Sequence, residues 1–262
     1  MTEAKEKELS IWDHLAELAR RVKIIIYALV ISTIAMMVLP SNMNFISDPL
    51  QFYDPLVGAL LRRIKDDVLP QGVTLAGFSL TTPMELYLWA AFIFALIICT
   101  PVIAYEVFKF VSPALYSHEK KFIYPFIGSI TLLFAVGALF SYFILTPFMI
   151  KALLPFFGAV GATPLVEVKD FYTLVFAMVI TCGAMFTFPV FYVMLVRFGV
   201  LGTAFLRRNR KYVWAGTFVV TAVMTPDGGP LADLMLFVPI IFLLEMAILI
   251  GRRFEKKRQT KS

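Results

Sequence analysis

The sequence predicts an all-α polytopic membrane protein with six transmembrane helices. Hydrophobic residues make up 60% of the 262 positions and charged residues only 16%, whereas soluble domains carry about 25% charged residues. The apolar residues form runs of roughly 20 without period-2 alternation, which favours helices over a closed barrel. We therefore expect a helical bundle that forms a single membrane domain over residues 1–262.

Six apolar runs define the predicted spans, and the segments between them define the rest of the chain. Residues 1–21 contain an apolar stripe of Ile11, Leu15 and Leu18, which predicts an interfacial helix. Residues 40–83 predict an outer cap loop with an amphipathic helix at 56–64, and residues 251–262 predict a basic tail. The mixed charge of the first residues argues against a cleaved leader. The predicted spans are 22–39, 84–111, 122–148, 171–195, 212–225 and 231–250.

The basic residues fix the expected orientation. Six spans place both termini on one side of the membrane. Most of the 24 Lys and Arg residues fall in the two tails and in the loops on that same side. Cytoplasmic loops carry such an excess, so we expect both termini to be cytoplasmic. The net charge of +6 is explained by this topology, and we expect no nucleic-acid partner.

The predicted bundle is kinked and curved, and its last two helices are short. Prolines at positions 101, 147, 189 and 239 lie within or at the ends of spans, where each removes a backbone hydrogen bond. Span five covers about 21 Å at 1.5 Å per residue, against a hydrocarbon core of about 30 Å. Spans five and six therefore predict a tight hairpin that thins the bilayer locally.

Several polar residues stand out against this apolar background. Glu245 lies in span six, where an acid costs on the order of 2.5 kcal/mol, so we expect it to face a cavity or a partner. Glu17 has two interpretations: a helix-face pair with Arg20 or Arg21, or a ligand for something cationic. The Thr187 hydroxyl in span four either bonds the carbonyl four residues earlier or serves a function.

The remaining chemistry-bearing residues argue against a membrane enzyme. Cys99 and Cys182 lie in apolar runs and are interpreted as buried hydrophobes. Both histidines, His14 and His118, fall outside the spans, which leaves no nucleophile and base within them. We expect no metal and no cofactor. A nucleotide-binding glycine loop is missing from the sequence, so energy would come from outside, such as the membrane potential. Asp227 and Asp233 are interpreted as interfacial.

Motifs in order along the chain resemble the TatC family, the core subunit of the twin-arginine protein translocase. The amino-terminal H-L-A-E-L-A-R-R is similar to the H-L-x-E-L-R-x-R of that family, and Pro101 to Lys121 resembles its cytoplasmic loop. Further similarity lies in Leu132 to Pro147, in R-R-N-R-K-Y-V before span five, in T-P-D after it, and in F-L-L-E of span six.

The resemblance implies a receptor that recognises Arg-Arg signal peptides of folded proteins in a prokaryotic cytoplasmic (inner) membrane. It implies a signal-peptide site of Glu17 and Glu119 with Phe110 beside them. It also implies assembly with single-span subunits of the TatA and TatB type and a homo-oligomer within the receptor complex. The assembly-linked proline of the outer loop corresponds to Pro49, with Pro55 as a competing match.

The chain departs from the family pattern at a few positions. Ala19 stands where the family usually has arginine, and Thr187 stands where many members have a glutamate facing the membrane cavity. The polar contact to a single-span partner would then come from the Thr187 hydroxyl or from Glu245. The turn before span six is one residue longer than usual and lacks a glutamine. An alternative function is a secondary transporter of a small solute or ion with Glu245 as coupling acid, which predicts a repeat and broken helices.

Overall fold

The structure is a computed structural model of the 262-residue chain, and it describes residues 11–41, 54–111, 123–197, 202–203, 208–225 and 230–259. The described helices are α1 (Ile11–Val38), α2 (Leu56–Val68), α3 (Thr82–Val111), α4 (Ile123–Phe140), α5 (Thr146–Ala159), α6 (Val168–Arg197), α7 (Arg210–Met224) and α8 (Pro230–Gln259). A π-helical turn, Ser141–Leu145, joins α4 to α5, and two short strands are β1 (Thr74–Ala76) and β2 (Leu165–Glu167).

Five segments of the described residues are long and apolar enough to cross a membrane. They are Trp12–Val38, Thr82–Phe110, Tyr124–Ala159, Val168–Arg197 and Asp233–Glu255. The remaining predicted span, span five, corresponds to α7, which has 15 residues and reaches only about 22 Å. Among the described residues, five long apolar segments and this short helix thus confirm the predicted fold class of a multi-pass helical membrane protein.

Three details differ from the sequence prediction. Helix α1 runs from Ile11 to Val38 without interruption, so the segment predicted as an interfacial helix continues directly into span one. Span three is interrupted by the π turn, in which the Thr146 amide donates to the Ser141 carbonyl. Helix α8 has 30 residues and is therefore not short, because the chain stays helical through the basic residues after the apolar run.

Helix α6 lies at the centre of the bundle. It contributes buried side chains to each of the hydrophobic clusters, such as Phe171 beneath α2, Cys182 against α8 and Met194 against α3 and α4. Tyr192 packs with Ala247 and Ile248 of α8. By contrast α1 packs mainly along α3 and buries little of its surface within the chain. The core is thus organised around one helix, with α1 and α7 at the periphery.

Helices α4 and α6 approach closely through two glycines. A Cβ built on Gly137 would lie 2.7 Å from the Cys182 carbonyl oxygen and 2.8 Å from Phe186. A Cβ on Gly183 would lie 2.9 Å from the Phe134 ring. Each helix therefore places an aromatic ring over a glycine of the other, which is how small residues bring helices together in membranes.

A cap covers the amino-terminal ends of α3 and α6. Helix α2 buries Val57, Leu61 and Ile64 against them, and the Tyr172 hydroxyl donates to the Leu61 carbonyl at 2.8 Å. Strands β1 and β2 pair in parallel, with Leu75 opposite Val166. The strands are separated by about 90 positions in sequence, so a local hydrophobic pattern does not predict this small sheet.

One charged group of the cap has a displaced pKa. The pKa of the Asp54 carboxyl is lowered, and the largest cause is a hydrogen bond from the Arg62 guanidinium. A hydrogen bond from the Ser41 hydroxyl is the second cause. The Ser41 hydroxyl lies 2.7 Å from Asp54 Oδ2. These contacts connect the end of α1 to α2, because Ser41 follows α1 and Arg62 lies on α2.

Candidate functional site

The candidate site lies where the first turns of α1 meet the last turns of α3. Helix α1 forms here because A-E-L-A-R-R consists of helix-favouring residues and because neither glycine nor proline occurs between positions 11 and 38. Helix α3 extends to Val111, and its apolar run A-A-F-I-F-A-L-I-I-C of positions 90–99 is typical of a membrane span. The two helices run antiparallel, so that the start of one meets the end of the other.

His14, Glu17 and Arg21 share one face of α1, and Glu106 and Phe110 share one face of α3. The spacings of three and four residues in α1, and of four in α3, bring each set onto a single helix face. His14 stacks on Phe110 with 4.4 Å between the ring centroids. We call these five residues the helix-end site.

Arg21 lies between two carboxylates in the helix-end site. Its Nη2 donates to Glu17 Oε1, and its Nη1 donates to Glu106 Oε2 at 3.0 Å. The exposed fractions of the side chains are 24% for Glu17, 12% for Arg21 and 7% for Glu106. The acid of α3 is therefore the most enclosed member, and Glu17 is the one most accessible from outside.

The charges in this cluster do not balance. Two carboxylates face one guanidinium, which leaves one negative charge in excess when both acids are ionised. The Nε–H of Arg21 is buried and has no hydrogen-bond partner within the described residues. A site with excess carboxylate can accept a further cation, and a guanidinium can form bidentate charged hydrogen bonds with such an acid.

The other predicted site residues are distributed over the molecule. Glu119 lies outside the described residues, as does Pro49. The competing match for that proline, Pro55, precedes the first turn of α2. Phe110 belongs to the helix-end site through its contact with His14. Glu17 pairs with Arg21, which is one of the two interpretations drawn from the sequence.

Thr187 lies on α6 and is largely buried. Its hydroxyl donates to the Ala184 carbonyl at 2.6 Å, so it is bonded three residues back rather than four. No hydrogen bond joins Thr187 to Glu245 in the part of the chain that the structure describes. The two residues are therefore separate candidates for contact with a partner.

Glu245 is paired with a residue of the neighbouring short helix. Arg210, at the start of α7, donates to Glu245 through Nε at 2.7 Å and also through Nη2. Trp214 Nε1 approaches the same carboxylate at 3.4 Å. The acid on the apolar face of α8 is thus neutralised by a bidentate guanidinium contact within the chain.

Two of these partners were not expected from the sequence. Glu106 stands in the apolar run A-Y-E-V-F of span two, the same signal that singles out Glu245. Arg210 belongs to the basic segment R-R-N-R-K-Y-V before span five, whose charges indicate topology and do not indicate a contact with Glu245. Asp233, interpreted as interfacial, is buried within the chain and accepts a hydrogen bond from the Thr225 hydroxyl.

No cluster of three His, Cys, Asp or Glu side chains suited to a metal occurs among the described residues. Cys99 and Cys182 are buried and unpaired. The fold and the helix-end site thus define a multi-pass helical membrane protein with a surface-accessible carboxylate site.

Comparisons with known proteins identify the family. The profile described as "Sec-independent protein translocase protein (TatC)" matches residues 13–239. The Bacillus subtilis (strain 168) protein TatCy is 30% identical over 262 residues, covering 100% of this chain and 96% of that protein. The TatC of Halalkalibacterium halodurans is 32% identical over 254 residues, covering 97% of this chain and 93% of that protein.

Solved structures agree with the sequence comparisons. A crystal structure of the twin-arginine translocase receptor TatC covers 92% of this chain at 29% identity with a TM-score of 0.72, and 99% of that chain is matched. Another, of the receptor in DDM, gives 30% identity and a TM-score of 0.74, with 91% and 99% covered. This chain therefore belongs to the TatC family. It is a twin-arginine translocase receptor subunit, a transport protein and not an enzyme.

Proposed function

We propose that Glu17 receives one arginine of a twin-arginine signal peptide and that Glu119 receives the other, with Phe110 beside them. The observation that carries this proposal is the helix-end site: Glu17 is partly exposed and already binds a guanidinium. A carboxylate offers two acceptors to the planar fork of arginine, whereas a lysine makes a single-point contact. Each charged hydrogen bond contributes about 1.5 to 3 kcal/mol.

The same proposal covers partners and orientation. Single-span subunits of the TatA and TatB type would contact the membrane face that carries Thr187 and Glu245, and Pro49 would serve assembly of the receptor complex. Both termini would be cytoplasmic, which places the helix-end site where a signal peptide arrives before export. Support for this orientation comes from the excess of Lys and Arg in the two tails.

A transporter role for Glu245 gains no support from the geometry. A coupling acid has to bind and release its ion, and Glu245 instead makes a bidentate contact with Arg210. The secondary-transporter alternative therefore rests on no observation in the described chain.

The test compares signal peptides with Arg-Arg and Lys-Lys pairs. The full chain is reconstituted in lipid nanodiscs, and dissociation constants are measured for both peptides with Glu17→Gln and Glu119→Gln variants. We expect each variant to weaken Arg-Arg binding by roughly tenfold, which is about 1.4 kcal/mol, while the protein stays inserted. Glu85→Gln is the matched control, because Glu85 is an acid at the opposite end of α3.

The outcomes separate the roles of the two acids. Equal affinity of the unmodified protein for Arg-Arg and Lys-Lys peptides would contradict the proposal that the site selects arginine over lysine. Unchanged Arg-Arg binding after Glu17→Gln would exclude Glu17 from the site. Photocrosslinking from position 119 to the Arg-Arg peptide, absent with the Lys-Lys peptide, would place the loop acid at the bound signal.

A further inference from the structure

Arg21 and Glu106 have no role in the proposed recognition, yet they bind the acid on which it depends. We propose that Arg21 competes with the signal arginine for binding to Glu17. In this proposal Glu106 is the alternative partner of Arg21, and it keeps Arg21 in place when a signal arginine binds Glu17. Together the two residues set the affinity of the site. The inference rests on the proposed function, since it presupposes that Glu17 binds a signal arginine.

Arg21 uses separate nitrogens for its two acids, Nη2 for Glu17 and Nη1 for Glu106. Loss of the Glu17 contact therefore leaves the 3.0 Å contact to Glu106 in place. Arg21 and Glu17 lie four residues apart on one helix, so the competing guanidinium is always present at the acid that the ligand needs.

Glu17 is the exposed acid and Glu106 the enclosed one, so a ligand from outside reaches Glu17 while Glu106 stays with the internal arginine. Two carboxylates contact a single guanidinium in the cluster, so one additional guanidinium would give each acid a cationic partner. Arg21 need not leave the enclosed position, which avoids the high cost of an unpaired charge at Glu106.

A ligand that binds only when Glu17 is available has its affinity reduced by the fraction of receptor in which Glu17 is available. This factor is the same for every ligand of Glu17. Arg21 and Glu106 should therefore shift the affinities for Arg-Arg and Lys-Lys peptides together and leave the ratio between them nearly unchanged.

The experiment measures dissociation constants of both peptides for the full chain in nanodiscs. For Arg21→Gln we expect binding that is several-fold tighter for both peptides. Arg20→Gln is the matched control, because it removes the same charge from an exposed neighbouring position. If Arg21→Gln weakens binding, or tightens it no more than Arg20→Gln does, Arg21 is not a competitor and the inference is overturned.

A second variant keeps the inference testable if Arg21→Gln leaves Glu106 unpaired and the protein unfolds. Arg21→Lys retains a cation for Glu106 but makes a weaker contact with Glu17, so we expect a smaller gain in affinity in the same direction. Thermal unfolding midpoints identify which variants are folded. A folded Arg21→Lys protein that binds more weakly than the unmodified chain would contradict competition.

Glu106→Gln tests the alternative partner. With its second acid removed, Arg21 has only Glu17 to neutralise it, so we expect several-fold weaker binding of both peptides. In the Arg21→Gln background the same change should have almost no effect, because it acts through Arg21. An equal loss in both backgrounds would show that Glu106 contacts the peptide or attracts it directly, and would overturn its role as a positioning residue.

Failure of this inference can be distinguished from failure of the proposed function. If Glu17→Gln leaves the affinity for the Arg-Arg peptide unchanged, Glu17 does not bind the signal arginine, and both proposals fail. If Glu17→Gln weakens binding but Arg21→Gln has no effect beyond its control, only the competitor role is lost. If Arg21→Gln raises the affinity for the peptides and this increase disappears in the Glu17→Gln background, the result supports both proposals.

Discussion

Two acidic side chains on the apolar helices of this receptor subunit are paired with arginines from other helices. Glu106 of α3 contacts Arg21 of α1, and Glu245 of α8 contacts Arg210 of α7. A charge in the hydrocarbon region is costly unless it is paired, and arginine suits this role because its fork matches a carboxylate. Each such pair also ties two helices together at one point.

The Arg210 and Glu245 pair should respond asymmetrically to removal of its members. Arg210→Gln leaves an unpaired carboxylate on the apolar face of α8, whereas Glu245→Gln leaves an arginine at the exposed start of α7. We expect Arg210→Gln to lower the thermal unfolding midpoint more than Glu245→Gln does. The exchanged pair, Arg210→Glu with Glu245→Arg, should recover part of the loss. An equal decrease of the unfolding midpoint in the two single variants would show that the pairing contributes little to thermal stability.

The lowered pKa of Asp54 predicts a dependence of stability on pH. A carboxyl whose folded pKa lies below its ordinary value, about 3.9 for Asp, stabilises the fold above that value. This contribution is lost as the pH falls through the folded pKa. The unmodified chain should therefore lose more stability than Asp54→Asn when the pH is lowered from about 5 towards 3. Denaturation curves in detergent measure this, and parallel curves for both proteins would contradict it.

At the scale of elements, the contact between α4 and α6 depends on two glycines beneath aromatic rings. Gly137→Ala would place a methyl group 2.7 Å from the Cys182 carbonyl oxygen, and overpacking of this kind costs about 1–3 kcal/mol. Gly128→Ala is the control on the same helix, because a Cβ there meets nothing within 4 Å. We expect only Gly137→Ala to lower the free energy of unfolding. Equal free energies of unfolding for the two variants would show that α4 and α6 can move apart without loss of stability.

The elements also show what a single sequence can and cannot predict. Span positions follow from apolar runs of about 20 residues, since the bilayer requires each backbone group to bond within its own helix. The pairing of Arg21 with Glu106 could not be predicted, because it depends on which helix packs beside α1. The same holds for strands β1 and β2, whose residues are distant in sequence. The helix-end site was predicted in part: Glu17, Phe110 and a pairing of Glu17 with Arg20 or Arg21 follow from the sequence, whereas Glu106 does not.

For the whole molecule, the orientation in the membrane is the property that most directly determines function. The helix-end site can bind a signal before export only if it faces the cytoplasm. The distribution of Lys and Arg predicts this orientation, with the α2 cap on the outer side.

Cysteine labelling in intact cells tests this orientation. Cys99 and Cys182 are first replaced with alanine, and Asp66→Cys on the exposed face of α2 or Ser262→Cys in the tail is then introduced. A membrane-impermeant maleimide should label position 66 in intact cells and position 262 only after permeabilisation. The opposite result would invert the orientation and remove the helix-end site from contact with an arriving signal.

The central position of α6 has a consequence for the path of the cargo. Because α6 contributes to each of the hydrophobic clusters, an opening through the middle of this chain would have to break all of them together. A folded protein is moreover wider than the space that helices packed 8–10 Å apart enclose. We therefore expect the permeation route to lie outside the bundle, along surfaces of α1 or α7 that lipids or neighbouring subunits cover.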